Sequence, residues 1–346
     1  MLGYQTVRVL SGGRDERQLD GLLAREGIRR DARLDYTIGI FDADDSLIAT
    51  GSCSADTIRC VAVDRARQGE GLLATVVTSL LRRLADNGVT HVFLYTKQDS
   101  ARYFKDMGFY EIASGLGLVT FMENKRNGFS SYIAEVSAHR REGDSSALVM
   151  NCNPFTLGHR YLAQRASRES GDVHLFVVSE DASFFPFEDR YELVRQGVSD
   201  LRNVTLHQTR SYMISSAVFP SYFLEDGDEA ITAQAHLDLN IFRKIASALG
   251  VSRRYVGTEP FSRVTGLYNS VMKEELPKYG IECVEVSRLE LGGRTVSASR
   301  VRQAIHDGDM DAVRAMVPQS TYSYFETERG RHTARLIRES ESVTHY

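Results

Sequence analysis

From Ala147 onward the chain alternates strand-like and helix-like segments with little between them, and that rhythm constrains the fold more than any other feature. An apolar run at Ala147–Met150 precedes a helical pattern over 159–169. Then come "VHLFVVS", a helix over 188–200, "NVTLHQT", a helix over 234–249, "RRYVG", a helix over 262–279, "IECVEVS" and a helix from Ala298. Strands alternating with crossover helices predict a parallel sheet covered on both faces, because parallel neighbours cannot be joined by a tight turn. In such sheets ligands bind outside the carboxyl ends of the strands. Attention therefore falls on "NCNPFTLGH", which follows the first strand and opens the first helix.

The first half reads differently. "DYTIGIFDADDSLIATGSCSADTIRCVAVD" reads as strands joined by Asp/Ser/Gly turns, with "DADDS" as a hairpin connection. A helix over 71–87, the strand "HVFLYT", a short helix over 100–107 and another strand follow. The expected organisation is an α/β chain: an α+β domain over 1–123, a linker over 124–145, a doubly wound parallel-sheet domain over 146–326 and a polar tail over 327–346. The linker is placed where "ENKRNGFSS" and "HRREGDSS" interrupt apolar periodicity. A chain of 346 residues is long enough for two cores. Its net charge of −4 gives no reason to expect a nucleic acid or a membrane as partner. No apolar run approaches a membrane span. Cys53, Cys60, Cys152 and Cys283 are scattered without metal-binding or disulfide spacing, so no protein metal site is expected and a reducing cytoplasm is the expected location.

In "AVDRARQGEGLLATVV" the residues Gln68, Gly69, Glu70 and Gly71 form a turn before a helix, where backbone N–H groups can meet a pyrophosphate. Together with "YFKDMGFYEI" downstream, residues 4–123 resemble the GNAT acetyltransferase family in the order of strand, Gly-rich loop and Gly-Phe approach to a strand. Two departures stand out. Ala66 heads the loop where the family usually has Arg or Gln, and Phe104 stands where the family often has a general-acid Tyr, with Tyr103 adjacent on another face of the helix. A phenyl ring cannot protonate a leaving thiolate. This half therefore reads as a module that holds a coenzyme-A-like group, with an active acetyltransferase and a purely structural fold as alternatives.

"NPFTLGH" resembles the T/H-x-G-H signature of the nucleotidyltransferase superfamily, with Thr156 and His159 in its polar positions. "VSASRVRQAI" resembles the superfamily's S-x-S/T-x-x-R element, with Ser297, Ser299 and Arg302 opening a helix. Attack on the α-phosphorus of ATP builds charge on oxygens, so the site must offer fixed donors and positive charge. The resemblance implies Asn153, Phe155, Thr156 and His159 on the α-phosphate side, and Ser297, Ser299 and Arg302 on the β/γ side, with His159, Thr156 and Arg302 as the catalytic set. "YVGTEP" places Gly257, Thr258 and Glu259 where the superfamily holds adenosine.

The joint order of these segments with "FPFEDRYELV", "FPSYFL" and "VGTEPFSRVTGLYNSVMKEELPKYGI" resembles the citrate lyase ligase family over most of the chain. That resemblance implies activation of acetate by ATP, with Mg2+, as acetyl adenylate. Transfer of acetyl to the thiol of the phosphoribosyl-dephospho-CoA group on the acyl carrier subunit of citrate lyase would follow. Two rivals remain open: an adenylyltransferase of coenzyme A or NAD type acting on a phosphate ester, and a non-enzymatic nucleotide or CoA sensor. The first should need extra Lys or Arg near the strand ends, and residues 179–187 contain neither. Arg190 reads as an anchor for the loop before it, and residues 209–224 as either a lid or an aromatic-packed surface loop.

Overall fold

The computed structural model describes residues 6–10, 12–213, 219, 221–224, 227–259 and 263–343. By internal contacts the chain forms two units, Met1–Ser130 with Pro220–Asn240, and Ser131–Phe219 with Ile241–Tyr346.

The first unit contains β1 (Thr6–Val9), α1 (Gly13–Arg25), β2 (Tyr36–Phe41), β3 (Leu47–Ser54), β4 (Thr57–Val63), α2 (Leu72–Asp86), β5 (Phe93–Lys97), α3 (Ala101–Asp106), β6 (Tyr110–Gly115) and β7 (Val119–Glu123). Its sheet runs β1-β2-β3-β4-β5-β7-β6. Val76, Val77, Leu80 and Leu84 recur at helical spacing along α2 and bury against Ile38, Ile40 and Leu94. Among the described residues the one parallel pair in this sheet is β4 with β5, and it holds only at Thr57↔Phe93 and Ile58↔Leu94. Beyond Ile58 the strands part. A cavity of about 760 Å³ opens between them, lined by Val61 and Val63 on one side and by Tyr95 and Lys97 on the other.

Residues 124–145, expected as a linker, contain α4 (Gly128–Ser137), with Tyr132 and Val136 buried. The second unit continues with β8 (Ser145–Met150), α5 (Leu157–Glu169), β9 (Asp172–Val177), α6 (Phe187–Gly197) and β10 (Val204–Gln208). Then come α7 (Gly227–Leu249), whose residues up to Asn240 belong to the first unit, β11 (Val251–Gly257), α8 (Arg263–Glu275), β12 (Glu282–Val286), the short pair β13 (Glu290–Leu291) and β14 (Arg294–Thr295), and α9 (Ala298–Asp307). The chain ends with α10 (Met310–Met316), α11 (Gln319–Tyr324) and α12 (Glu328–Glu339).

The five-stranded sheet of the second unit runs β10-β9-β8-β11-β12 with every pair parallel, as the alternation predicted. Strand order reverses between β8 and β11, so the loops leaving those two strands border the crevice such a reversal creates. The stretch expected as a polar tail instead carries α12, capped by Thr327, whose Ala334 and Ile337 enter the core beside Val301 and Ile305 of α9. Apolar positions 334 and 337 lie on one helical face, which suffices to dock an otherwise polar segment. The 209–224 loop lies partly outside the described residues.

Candidate active site

The site begins where β8 ends. Arg190 of α6 is fully buried, and its guanidinium donates to the carbonyls of Phe185 (3.0 Å), Asn151 (2.7 Å) and Val178 (2.7 Å), to Asn151 Oδ1 (2.8 Å) and to the Glu180 carbonyl. One side chain thus ties the ends of β8 and β9 to the loop that follows β9. Arg190 is the anchor its sequence context suggested.

Thr156 is the N-cap of α5, and it and His159 satisfy each other reciprocally. Thr156 Oγ1 accepts the His159 N–H at 3.3 Å, while His159 Nδ1 accepts the Thr156 backbone N–H at 3.1 Å and lies 3.0 Å from Thr156 Oγ1. An Nδ1 that accepts a backbone N–H carries no proton, so this network assigns the neutral tautomer with its proton on Nε2. Burial, followed by the charge of Arg288, pushes the His159 pKa down to about 4. At neutral pH the ring is a hydrogen-bond donor rather than a cation.

Two contacts bring the distant helix starts together. A Cβ on Gly158 would lie 2.9 Å from the Val296 carbonyl and 3.4 Å from Thr156 Oγ1, so only glycine lets α5 begin this close to the segment entering α9. Arg302 Nη1 of α9 donates to the Asn153 carbonyl at 2.5 Å. At the head of α9, Ser297 caps the Arg300 N–H at 3.3 Å, and its Oγ lies 3.0 Å from that of Ser299. Both serines remain partly exposed, as does His159. Helix N-termini paired in this way form an anion-binding surface.

Three of the expected ligand contacts turn inward instead. Arg302 is only 3% exposed and spends its guanidinium on the Asn153 carbonyl and on the Val343 carbonyl at 2.7 Å; burial lowers its pKa to about 10. Asn153 is buried, with Oδ1 accepting from the Phe185 N–H at 3.3 Å. Phe155 is fully buried against Gly197, and its ring stacks on His159 at 5.9 Å. These residues position the His159 loop. Thr156, also buried, orients the imidazole.

Across the strand reversal, Gly257, Thr258 and Glu259 are partly exposed at the carboxyl end of β11. A Cβ on Gly257 would meet nothing within 4 Å, which leaves open space at the strand end, and its carbonyl is held by Asn269 Nδ2 at 3.0 Å. Arg288, two residues beyond β12, was not singled out by the sequence. Its Nε donates to the Thr258 carbonyl at 2.6 Å, its backbone N–H to Thr258 Oγ1 at 3.3 Å, and its Nη2 pairs with the Glu259 carboxylate. No motif marks this arginine; only the fold carries it to the crevice.

In the first unit the Gly-rich turn lies where expected. Gly69 and Gly71 have φ of 89° and 77°, conformations a side chain rarely adopts, and Gly71 is the N-cap of α2. Arg67, Gln68, Gly69 and Gly71 line the cavity between β4 and β5, whereas the carboxylate of Glu70 is 3.3 Å from Arg67 Nη1 and does not line it. Tyr103 and Phe104 both touch that cavity, but Phe104 is buried while Tyr103 is 46% exposed, so the two lie on different faces of α3. The Tyr103 hydroxyl accepts from Arg102 at 2.8 Å. Among the described residues no three His, Cys, Asp or Glu side chains group as metal ligands, and no helix is long and apolar enough to cross a membrane.

Residues 145–325 match the citrate lyase ligase C-terminal domain family. The chain is 40% identical over 306 residues to the [citrate [pro-3S]-lyase] ligase of Escherichia coli (strain K12), covering 86% of this chain and 87% of that protein. It is 37% identical over 324 residues to the protein of that name from Klebsiella pneumoniae, covering 92% and 94%. The chain belongs to the citrate lyase ligase family. As a citrate lyase ligase family member it is an enzyme, and the matched domain contains every second-unit residue discussed above up to Arg302, while the Gln68–Gly71 turn precedes it. A solved structure of Escherichia coli ElaA aligns with 36% of the chain and 100% of its own length, at 17% identity and a TM-score of 0.31.

Proposed function

We propose that the chain activates acetate with ATP as acetyl adenylate and passes the acetyl group to the thiol of the phosphoribosyl-dephospho-CoA arm on the citrate lyase acyl carrier subunit, in the cytoplasm. The observation that carries this reading is the meeting of two helix starts, α5 and α9, at the strand reversal, with a neutral His159 whose Nε2–H is not engaged by Thr156. In the first step an acetate oxygen attacks the α-phosphorus and the bond to the β-phosphate oxygen breaks, releasing pyrophosphate. Acetate is already ionised at neutral pH, so no general base is needed.

His159 then donates to an α-phosphate oxygen whose charge grows during attack, and a fixed donor of that kind acts without reorganisation. The hydroxyls of Ser297 and Ser299 and the first turn of α9 receive the departing phosphates. The open end of β11 at Gly257, with Thr258 and Glu259, receives the nucleoside. Mg2+ would be held chiefly by phosphates and water, since the chain groups no carboxylate cage among its described residues. In the second step the thiolate attacks the acetyl carbon and AMP leaves. The cavity between β4 and β5, with the Gln68–Gly71 turn at its rim, is the holding place for the CoA-like arm. Residues 1–123 and 146–326 are the working limits of the arm-holding and adenylylating parts.

Acetate-dependent exchange of labelled pyrophosphate into ATP tests the first step, and labelled acetyl transfer to the carrier tests the second. Exchange stimulated by a phosphate ester instead of acetate would favour the adenylyltransferase reading. Nucleotide binding with no exchange would leave only a sensor.

A further inference from the structure

With Arg302 folded inward, it adds no side-chain cation to the serine hydroxyls and the first turn of α9 that receive the phosphates, and the second unit offers another guanidinium. Arg288 emerges from the end of β12 beside Thr258 and Glu259, its side chain about a quarter exposed (27%). The Thr258 carbonyl takes its Nε–H and the Glu259 carboxylate takes one Nη2–H. Among the described residues the Nη1 hydrogens meet no acceptor. The carboxyl end of β11 that it holds borders the strand reversal opposite the end of β8, from which the His159 loop leaves, and its charge adds to burial in keeping the His159 ring neutral. A guanidinium pinned along one edge and open along the other is preorganised for an anion with two oxygens. An ion pair with Glu259 alone would account for the pinned edge but leaves the open one unexplained.

We infer that Arg288 is the residue that grips the polyphosphate of the nucleotide, with Thr258 and Glu259 holding it in place, and that Arg302 is not. This rests on the adenylylating reading of the second unit. The Glu259 carboxylate then serves the nucleotide indirectly, as the brace of Arg288.

The test is calorimetric titration of the full chain with inorganic pyrophosphate and, separately, with adenosine, for the wild type, Arg288→Ala and Arg288→Lys, with circular dichroism to confirm folding. Loss of a bidentate charged contact should weaken pyrophosphate binding roughly tenfold or more in Arg288→Ala, with partial recovery in Arg288→Lys because the charge returns without the fork. Adenosine affinity should fall by clearly less than pyrophosphate affinity, since the open space at Gly257 that receives the nucleoside is kept and only the bonds from Arg288 to Thr258 and Glu259 are lost. If Arg288→Ala does not fold, Arg288→Lys carries the comparison. Unchanged pyrophosphate affinity overturns the inference, and so does an equal loss for both ligands, which would make Arg288 a support for the nucleoside end. Wild-type binding of pyrophosphate that depends on Arg288, without acetate-dependent exchange, would leave the inference standing and sink the proposed reaction. No binding of either ligand to the wild type overturns both.

Discussion

Arg302→Ala separates a phosphate ligand from an internal brace more sharply than any other change. Its guanidinium makes two charge-assisted bonds to buried carbonyls, Asn153 at 2.5 Å and Val343 at 2.7 Å. At about 1.5–3 kcal/mol each, their loss costs about 3–6 kcal/mol. The buried stem adds about 2 kcal/mol at ~0.8 kcal/mol per methylene. Against this, removing the charge recovers its desolvation: a pKa lowered from 12.5 to about 10 corresponds to about 3 kcal/mol. The net loss is about 2–5 kcal/mol, a fall in melting temperature on the order of 10 °C for a domain of this class. Calorimetric melting measures that fall, and ATP titration of the folded variant at low temperature measures affinity, which should stay within about threefold because the guanidinium does not face the crevice. Turnover should drop more than affinity, since the Asn153 carbonyl leads directly into the His159 loop. A variant that melts like the wild type yet has lost ATP binding would refute this reasoning and return Arg302 to the phosphates.

Other outcomes follow from the same geometry. His159→Ala should lower the rate of pyrophosphate exchange roughly a hundredfold to a thousandfold with little change in ATP affinity, because a donor to developing charge acts mainly in the transition state. With its pKa pushed down to about 4, His159 stays neutral as pH falls from 7.5 to 5, so the exchange rate should show no loss centred near the ordinary histidine value; a proton-linked fall near 6.5 that vanishes in His159→Gln would contradict the Nε2–H assignment. Gly158→Ala would press a methyl group against the Val296 carbonyl, destabilising the fold by about 1–3 kcal/mol and slowing exchange, as urea denaturation and exchange rates can measure. Gly71→Glu places a carboxylate and a strained φ of 77° at the start of α2; acetate-dependent exchange should persist while acetyl transfer to the carrier fails, and equal loss of both with the fold intact would argue against the cavity as the arm's site.

Periodicity and caps are local, and whatever rests on them could be read directly from the residue order. The alternation after Ala147 dictated a parallel sheet, and all four pairings of that sheet are parallel. The Thr156 cap, the Gly69–Gly71 turn and the Ser297 cap depend on neighbours within three residues, so the helix starts expected at 159, 71 and 298 fall within two residues of those observed at 157, 72 and 298. The direction of a long side chain is not local. Arg302 and Arg288 are both arginines near strand or helix ends, and which one points inward depends on a carbonyl at position 343 and on a carboxylate at position 259, partners that only folding brings near. Asn153 and Phe155 turn inward for the same reason: the Phe185 N–H and the notch at Gly197 that receive them lie 32 and 42 positions along the chain. Likewise α12 looked like a solvated tail until α9 supplied the apolar face that Ala334 and Ile337 cover. A sequence pattern says which backbone will be helix or strand because 3.6- and twofold spacing are properties of one segment; which polar group is buried is settled by the surfaces that meet it.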